Sequence, residues 1–151
     1  LVVCSNLKKQ SKQDFSFIFE EERALETSYS EPLVYLYEAN ASIMKSGGFK
    51  SVAAKLKLFK LHKHSHLYTS TKLIKEFPGR TFKIQFLLAA DIKSLAKHGI
   101  KKGNLACRNF PQKVEVLKKK LKLNDGGENY IFATTLLGDK PKLVICTKVQ
   151  F

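Results

Sequence analysis

NLACRNFPQKVEVLKKKLK, residues 104–122, passes from strand to helix within one short stretch. Asn104–Arg108 reads as a short strand. Pro111 suits a first helical turn, where its missing N–H costs nothing, and the spacing predicts a helix from there to about Lys122. With Val114 at zero on a wheel turning about 100° per residue, Leu117 falls at about 300° and Leu121 at about 340°. These three form one narrow apolar stripe suited to a sheet. Lys118 and Lys122 lie on one flank, Lys113 and Lys120 on the other, and Lys119 lies opposite. Glu115 is the single acid, whereas a solvated helix would intersperse Glu with Lys for support at i,i+4. Two readings stand: a face that meets phosphates, and a core helix whose lysine stems cover its edges. At the junction, Arg108 and free N–H groups can hold a phosphate, while Asn109 can equally cap or turn. Phe110, flanked by core elements, reads as core ahead of a base-stacking platform.

Working outward, Thr81–Leu88 is a strand after the Pro78-Gly79 turn. Asp91 can cap a helix carrying Ile92, Leu95 and Ala96 inward, which Gly99 ends. Asn124–Gly127 is a turn, and Tyr130–Leu136 and Lys142–Val149 form a hairpin through Gly138-Asp139. The order is β-α-β-α-β-β, a layered unit. Upstream, Leu1–Leu7 and Asp14–Phe19 read as strands around a polar turn at Lys8–Gln13. Glu20–Glu26 opens a short helix. Leu33–Tyr37 is a short apolar run. Asn40 can cap a helix over Ala41–Ser46, Gly47-Gly48 breaks it, and a second helix follows to about Leu58. Phe59–Ser70 is extended in character, and Lys72–Glu76 suits a turn of helix.

The 151 residues fit one ordinary domain or two small ones, with 44% hydrophobic residues to build a core. The net charge is +14, from 27 basic and 13 acidic residues. Such a field draws in anions, and nucleic acid is the commonest partner that makes it useful; a solvated basic surface is the plainer alternative. Residues 1–76 carry 12 basic and 8 acidic side chains, net +4, and residues 77–151 carry 15 and 5, net +10. Electrostatic work therefore belongs to the C-terminal half. Cys4, Cys107 and Cys146 are odd in number and far apart, which suits small buried hydrophobes in a reducing, cytoplasmic setting. No apolar run is long enough to span a bilayer, so no membrane partner is expected. The chain opens in a strand-like Leu1-Val2-Val3 without a signal peptide, and is expected to be the C-terminal part of something longer.

His62, His64 and His66 would project from one face of a strand, where imidazoles can hold zinc, but no fourth ligand stands nearby and ordinary polar roles are expected. Asp91, Glu115 and Asp125 form no carboxylate pair of the kind acid–base catalysis uses. Neither a Ser–His–Asp set nor a G-x-G-x-x-G loop is present. No catalytic residue and no metal site is assigned.

YLYEANASIMKSGGFKSVA (35–53), KLHKHSHLYTS (60–70), FPGRTF (77–82), NLACRNFP (104–111) and LKLNDGGENYIFATTL (121–136) occur in this order. Together they resemble the C-terminal region of a group of bacterial class I S-adenosylmethionine-dependent methyltransferases. The resemblance covers about Pro32–Val149, and this chain departs from it at Ala39, where Pro is expected, and at His64. It implies an α+β fold: a small ferredoxin-like segment over 1–76, partial and linking to a catalytic domain elsewhere, then a THUMP-like β-α-β-α-β-β domain over 77–151. It implies an RNA-directed methyltransferase whose Rossmann-like catalytic domain lies upstream and takes S-adenosylmethionine. No cofactor motif lies within this chain, which should not methylate alone.

The expected function is thus an RNA-binding portion holding structured tRNA or rRNA by shape and phosphates. The candidate contacts are Arg80, Lys83, Lys101, Lys102, Arg108, Lys113, Lys118 and Lys119, with a structural salt bridge as the competing role for Arg80. Two alternatives are kept. In one, Tyr35–Phe49 docks on the upstream methyltransferase domain through an exposed apolar patch. In the other, the chain is a scaffold for an acidic protein surface.

Overall fold

The apolar run at 33–37 leads into an inner strand of a large sheet, where Leu36 and Tyr37 are buried on opposite faces while Leu33 stays exposed. The structure, a computed structural model, describes residues 1–8 and 11–150. The elements in chain order are β1 (Val2–Lys8), β2 (Ser11–Phe17), α1 (Phe19–Ala24), β3 (Tyr35–Ala39), α2 (Ala41–Ser46), α3 (Phe49–Leu56), β4 (Phe59–Lys60), β5 (Tyr68–Ser70), β6 (Gly79–Leu88), α4 (Ile92–Lys97), β7 (Asn104–Arg108), α5 (Val114–Leu121), β8 (Asn129–Leu136) and β9 (Lys140–Lys148). β1 and β2 pair as a separate antiparallel hairpin, from Val2 opposite Phe17 to Lys8 opposite Ser11. The turn expected over Lys8–Gln13 falls partly at 9–10, outside the described residues. The other strands make one seven-stranded sheet in the order β4-β5-β3-β6-β9-β8-β7. Its pairs are antiparallel except β7 with β8. That parallel pair needs a crossover, which α5 supplies. The expected order β-α-β-α-β-β is β6-α4-β7-α5-β8-β9. No helix among the described residues is long and apolar enough to cross a membrane.

Local chemistry sets most boundaries. The Asn40 side chain accepts from the Ile43 N–H at 3.2 Å, and Gly47 ends α2 at φ +79°. Asp91 accepts from Ser94 N–H at 2.7 Å to start α4. Three expectations are corrected. Residues 72–76 make a turn without a helix. Pro111 lies before α5, because Asn109 takes φ +58° and its carbonyl accepts from the Thr135 hydroxyl at 2.6 Å, so the chain turns before it coils. In the six-residue α4 only Leu95 is buried; Ile92 and Ala96 face outward, and Ile100 beyond the helix supplies the second anchor.

The two faces of the sheet bury different layers. One face packs α2, α3 and the β1–β2 hairpin on Tyr37, Ala39 and Tyr68 at one end. At the other end, α4 and α5 bring Leu95, Leu117 and Leu121 onto Ile131, Ala133, Leu143 and Ile145. The opposite face holds Leu36, Phe82, Phe132, Val144 and Cys146, with Leu61 and Leu67 from the loop between β4 and β5. Alternation along each strand produces this division.

That second face is concave. On a flat sheet β3 and β7, four positions apart in the order, would lie about 19 Å from each other at ~4.8 Å per step. Instead the Glu38 carboxylate on β3 reaches both Arg80 on the adjacent β6 and Arg108 on β7. Arg80 Nη2 donates to Oε1 and Arg108 Nε to Oε2, each at 2.6 Å. The Phe82 ring reaches over β9 to Tyr130 and Phe132 on β8, centroids 5.1 Å apart in each pair. The 61–67 loop fastens the same closure: Ser65 Oγ donates to Thr135 O at 2.6 Å and accepts from Asn109 Nδ2 at 3.1 Å. Beside Glu38, Gly79 pairs with Ala39, and a Cβ at Gly79 would lie 2.0 Å from the Glu38 carbonyl oxygen.

Two side chains thus hold long-range order, and each supports a prediction. Glu38→Gln leaves two guanidiniums without their carboxylate, and should lower unfolding stability by about 2 kcal/mol, discounted because both arginines are part-exposed. Glu22 of α1, itself buried, accepts from the Lys50 and Ser51 N–H groups at 2.9 and 3.0 Å, capping α3 where Gly48 offers no side chain. Glu22→Ala should cost about 2 kcal/mol for these charged hydrogen bonds. Urea unfolding midpoints equal to wild type would refute either role.

Candidate nucleic-acid interface

The helix quoted at the outset ends in a left-handed cap. Lys122 takes φ +51°, and the Lys122 and Leu123 N–H groups donate to Lys119 O and Lys118 O at 3.2 and 3.1 Å. Asn124 follows and bridges to Lys102: its N–H donates to Lys101 O at 3.0 Å, and Gly103 N–H donates to Asn124 O at 2.9 Å. This bridge sets the Lys101-Lys102 pair beside the C-terminal end of α5. Lys101, Lys102, Lys119 and Lys122 are exposed there, and Lys120 is exposed on the other flank of α5. A groove lined by Glu115, Lys118, Lys119, Lys122, Leu123 and Asn124 runs along the same end. The Lys118 ammonium pairs with Asp125 and is the compensated member of the group. Lysines in a last helical turn also favour the carbonyl end of the helix dipole whatever they bind.

The remaining candidates stand elsewhere. Arg80 and Arg108 share Glu38, and Arg108 Nη1 also donates to Cys107 O at 3.0 Å, so both first serve the curl of the sheet. Their side chains stay 42% and 36% exposed, and one carboxylate offsets only one of the two charges. Lys83 is exposed on β6, on the face opposite Arg80. Lys113 is exposed at the far end of α5 from Lys122, as its N-cap residue. The basic side chains therefore form one gathered group, one arginine pair and two outliers.

Tyr35–Phe49 does not offer the apolar docking patch considered above. Leu36, Tyr37, Ala39 and Ile43 are buried, because β3 lies between β5 and β6 and α2 packs against it. The histidines do not alternate along a strand either, since 61–67 is a bent loop. His62 Nε2 meets Asp139 Oδ1 at 2.7 Å, His64 N–H donates to His62 Nδ1 at 3.1 Å, and His66 stacks on Phe49 with centroids 3.6 Å apart. Among the described residues no three metal-capable side chains converge. Cys4 and Cys146 are buried and Cys107 is half-buried. Burial pushes the Cys146 and Cys107 thiols upward, away from the reactive thiolate. Sequence reasoning missed Glu38 and Lys60, a carboxylate and an ammonium inside apolar surroundings; the signal for Glu38 was an acid next to YLY in a strand-like run.

S-adenosylmethionine binding would call for a glycine cradle between a strand and a helix. Gly47-Gly48 precedes a helix, but it joins α2 to α3, and a Cβ at Gly48 would lie 2.6 Å from Phe17 Cε1. Those glycines make room for a core aromatic ring, and the described residues do not fit the cofactor.

Comparison with known proteins agrees with this architecture. Residues 35–78 match the model of a ferredoxin-like domain, and residues 79–148 match that of a THUMP domain-like family. A crystal structure of a "putative methyltransferase" from Porphyromonas gingivalis W83 superposes with a TM-score of 0.92 at 34% identity over 98% of this chain. The chain spans 38% of that protein's chain. No curated protein matches. The chain therefore consists, over residues 35–148, of a ferredoxin-like segment followed by a THUMP-like domain, joined in one sheet.

Proposed function

We propose that this chain is the RNA-holding portion of an S-adenosylmethionine-dependent methyltransferase of the bacterial class I type, acting on tRNA or rRNA in the cytoplasm. The catalytic domain would lie upstream in the same protein, and the methyl group would come from the cofactor bound there. The observation that carries this reading is the Lys102–Asn124 bridge. It sets Lys101 and Lys102 next to the end of α5 that carries exposed Lys119 and Lys122, with Lys120 on the other flank of the helix. Ammonium groups held this way track phosphates without reading bases, which suits recognition of RNA by shape. Lys113 and Lys118 extend the contact along α5. The uncompensated charge of the Arg80–Arg108 pair offers a second phosphate contact, with Lys83 as an outlying one.

Filter-binding titrations against tRNA and rRNA transcripts over a range of salt test this. Joint replacement of Lys119, Lys120 and Lys122 by Gln should weaken binding and reduce the salt slope by about one unit for each lysine that touches RNA. Lys118→Gln alone should do less, since Asp125 already offsets its charge. An unchanged slope in the triple variant removes this surface from the site. Binding to heparin as tight as to RNA would favour a general polyanion or acidic-protein scaffold instead.

A further inference from the structure

A second site lies on the ferredoxin-like side and includes no residue of β6–β9, α4 or α5. It is a cavity of 660 Å3 whose walls include Leu25, Tyr29, Phe49, Lys50, Lys60 and Lys63. Lys60 of β4 is 3% exposed. Its ammonium donates to Lys63 O at 3.0 Å and to His66 Nδ1 at 2.9 Å. Both acceptors are neutral: burial and the adjacent ammonium bring His66 down to about 4, so its ring carries no charge near neutral pH. No carboxylate among the described residues lies within ion-pair distance of Lys60. The Glu22 carboxylate raises its proton affinity only from a distance, its oxygens being engaged by the α3 N–H groups. Burial brings Lys60 down to about 8, where it still holds its proton at pH 7.

A buried ammonium without a counter-ion is costly, and buried charges are ordinarily paired. Three N–H donors are available on it; two are hydrogen-bonded, and the ammonium also lies over the Phe49 ring, 5.5 Å from its centroid. The cavity wall adds Arg23, Lys50 and Lys63 against Glu22 and Glu26, and the positive charge left over with Lys60 suits a dianion better than a single charge. Tyr29, 40% exposed, supplies flat apolar surface, while the Phe49 ring is already stacked by His66. The volume suits one ligand of about nucleotide size.

We propose that this cavity binds a nucleotide through a terminal phosphate, the phosphate taking the third hydrogen bond of Lys60 and the base lying against Tyr29. A terminal monoester is a dianion with one substituent, so it can enter a recess that an internal phosphodiester, substituted on both sides, cannot. The shared chemistry has two sources: a free 5′-mononucleotide, or the 5′-phosphorylated end of an RNA. Only the second rests on the RNA reading above.

Calorimetric titration of the protein with AMP, adenosine, and a short RNA with or without a 5′-phosphate tests the site. At pH 7 the phosphorylated ligand should saturate, and its unphosphorylated counterpart should bind at least about tenfold more weakly. Saturation by AMP identifies the free nucleotide; saturation by 5′-phosphorylated RNA alone identifies the RNA end. Raising the pH from 7 to 9 at constant ionic strength should weaken binding as Lys60 loses its proton. From α1 and the segment after it, Glu22, Arg23 and Glu26 face the same cavity, with Lys50 from α3 and Lys63, His64 and His66 from the loop. Lys60→Met should lower affinity at least about tenfold while raising the melting temperature, because it removes a buried ammonium. Should that variant fold poorly, Lys50→Gln with Lys63→Gln, at the cavity wall, should give the same direction of loss. Equal binding with and without phosphate, or wild-type affinity in these variants, overturns the proposal. The variant lacking Lys119, Lys120 and Lys122 should keep AMP binding, so the two sites fail separately.

Discussion

One carboxylate shared by two guanidiniums sets the shape of the sheet. Glu38 comes from the ferredoxin-like segment, and Arg80 and Arg108 from the THUMP-like domain. Each bond is a short, charge-assisted one at 2.6 Å. An acid on β3 can meet an arginine on β7 only if the three strands between them curve. That curvature brings Phe82 onto Tyr130 and Phe132 and closes a dry layer around Val144 and Cys146. Hydrophobic burial supplies most of the stabilisation of such a layer, while the ion triad selects which edges face one another.

The positive charge of the chain is put to unlike uses. Arg80 and Arg108 hold strands together, Lys118 is matched by Asp125, and Lys60 is withdrawn from water. Lys101, Lys102, Lys119 and Lys122 remain in solvent around the end of α5, and Lys120 in solvent on its other flank. A net charge of +14 therefore overstates what any one surface can offer a ligand. The gathered lysines owe their proximity to a backbone bridge between residues 102 and 124, so no helical wheel drawn on α5 alone could display them together.

Local signals in the sequence were legible where chemistry acts over a few residues. Asn40 and Asp91 cap the helices expected of them, Gly47 ends α2, and Gly138-Asp139 turns the hairpin with both residues at positive φ. Leu117 and Leu121 face the sheet as their spacing implied. Signals that depend on distant partners were not legible. The Tyr and Leu of β3 resembled a surface patch because nothing local reveals that β5 and β6 flank that strand. Pro111 suited a helix start, but the Thr135 hydroxyl, 26 residues away from Asn109, holds the chain in a turn there. The alternation of His62, His64 and His66 suggested a strand, yet their partners are Asp139, a neighbouring histidine and Phe49. For the candidate site, the lysines of α5 were readable as a basic face, whereas the pairing of Arg80 and Arg108 with one acid was not.

The seam between the two recognised segments falls at residues 78 and 79, and Gly79 is already hydrogen-bonded into the ladder with β3. Severing the protein there would strip β3 of one neighbour and leave β6 with a bare flank, two sticky margins of the kind that recruit foreign strands. Neither half is a detachable cassette. A recombination event or an expression boundary at that seam would replace one continuous sheet by two remnants with unpaired edges.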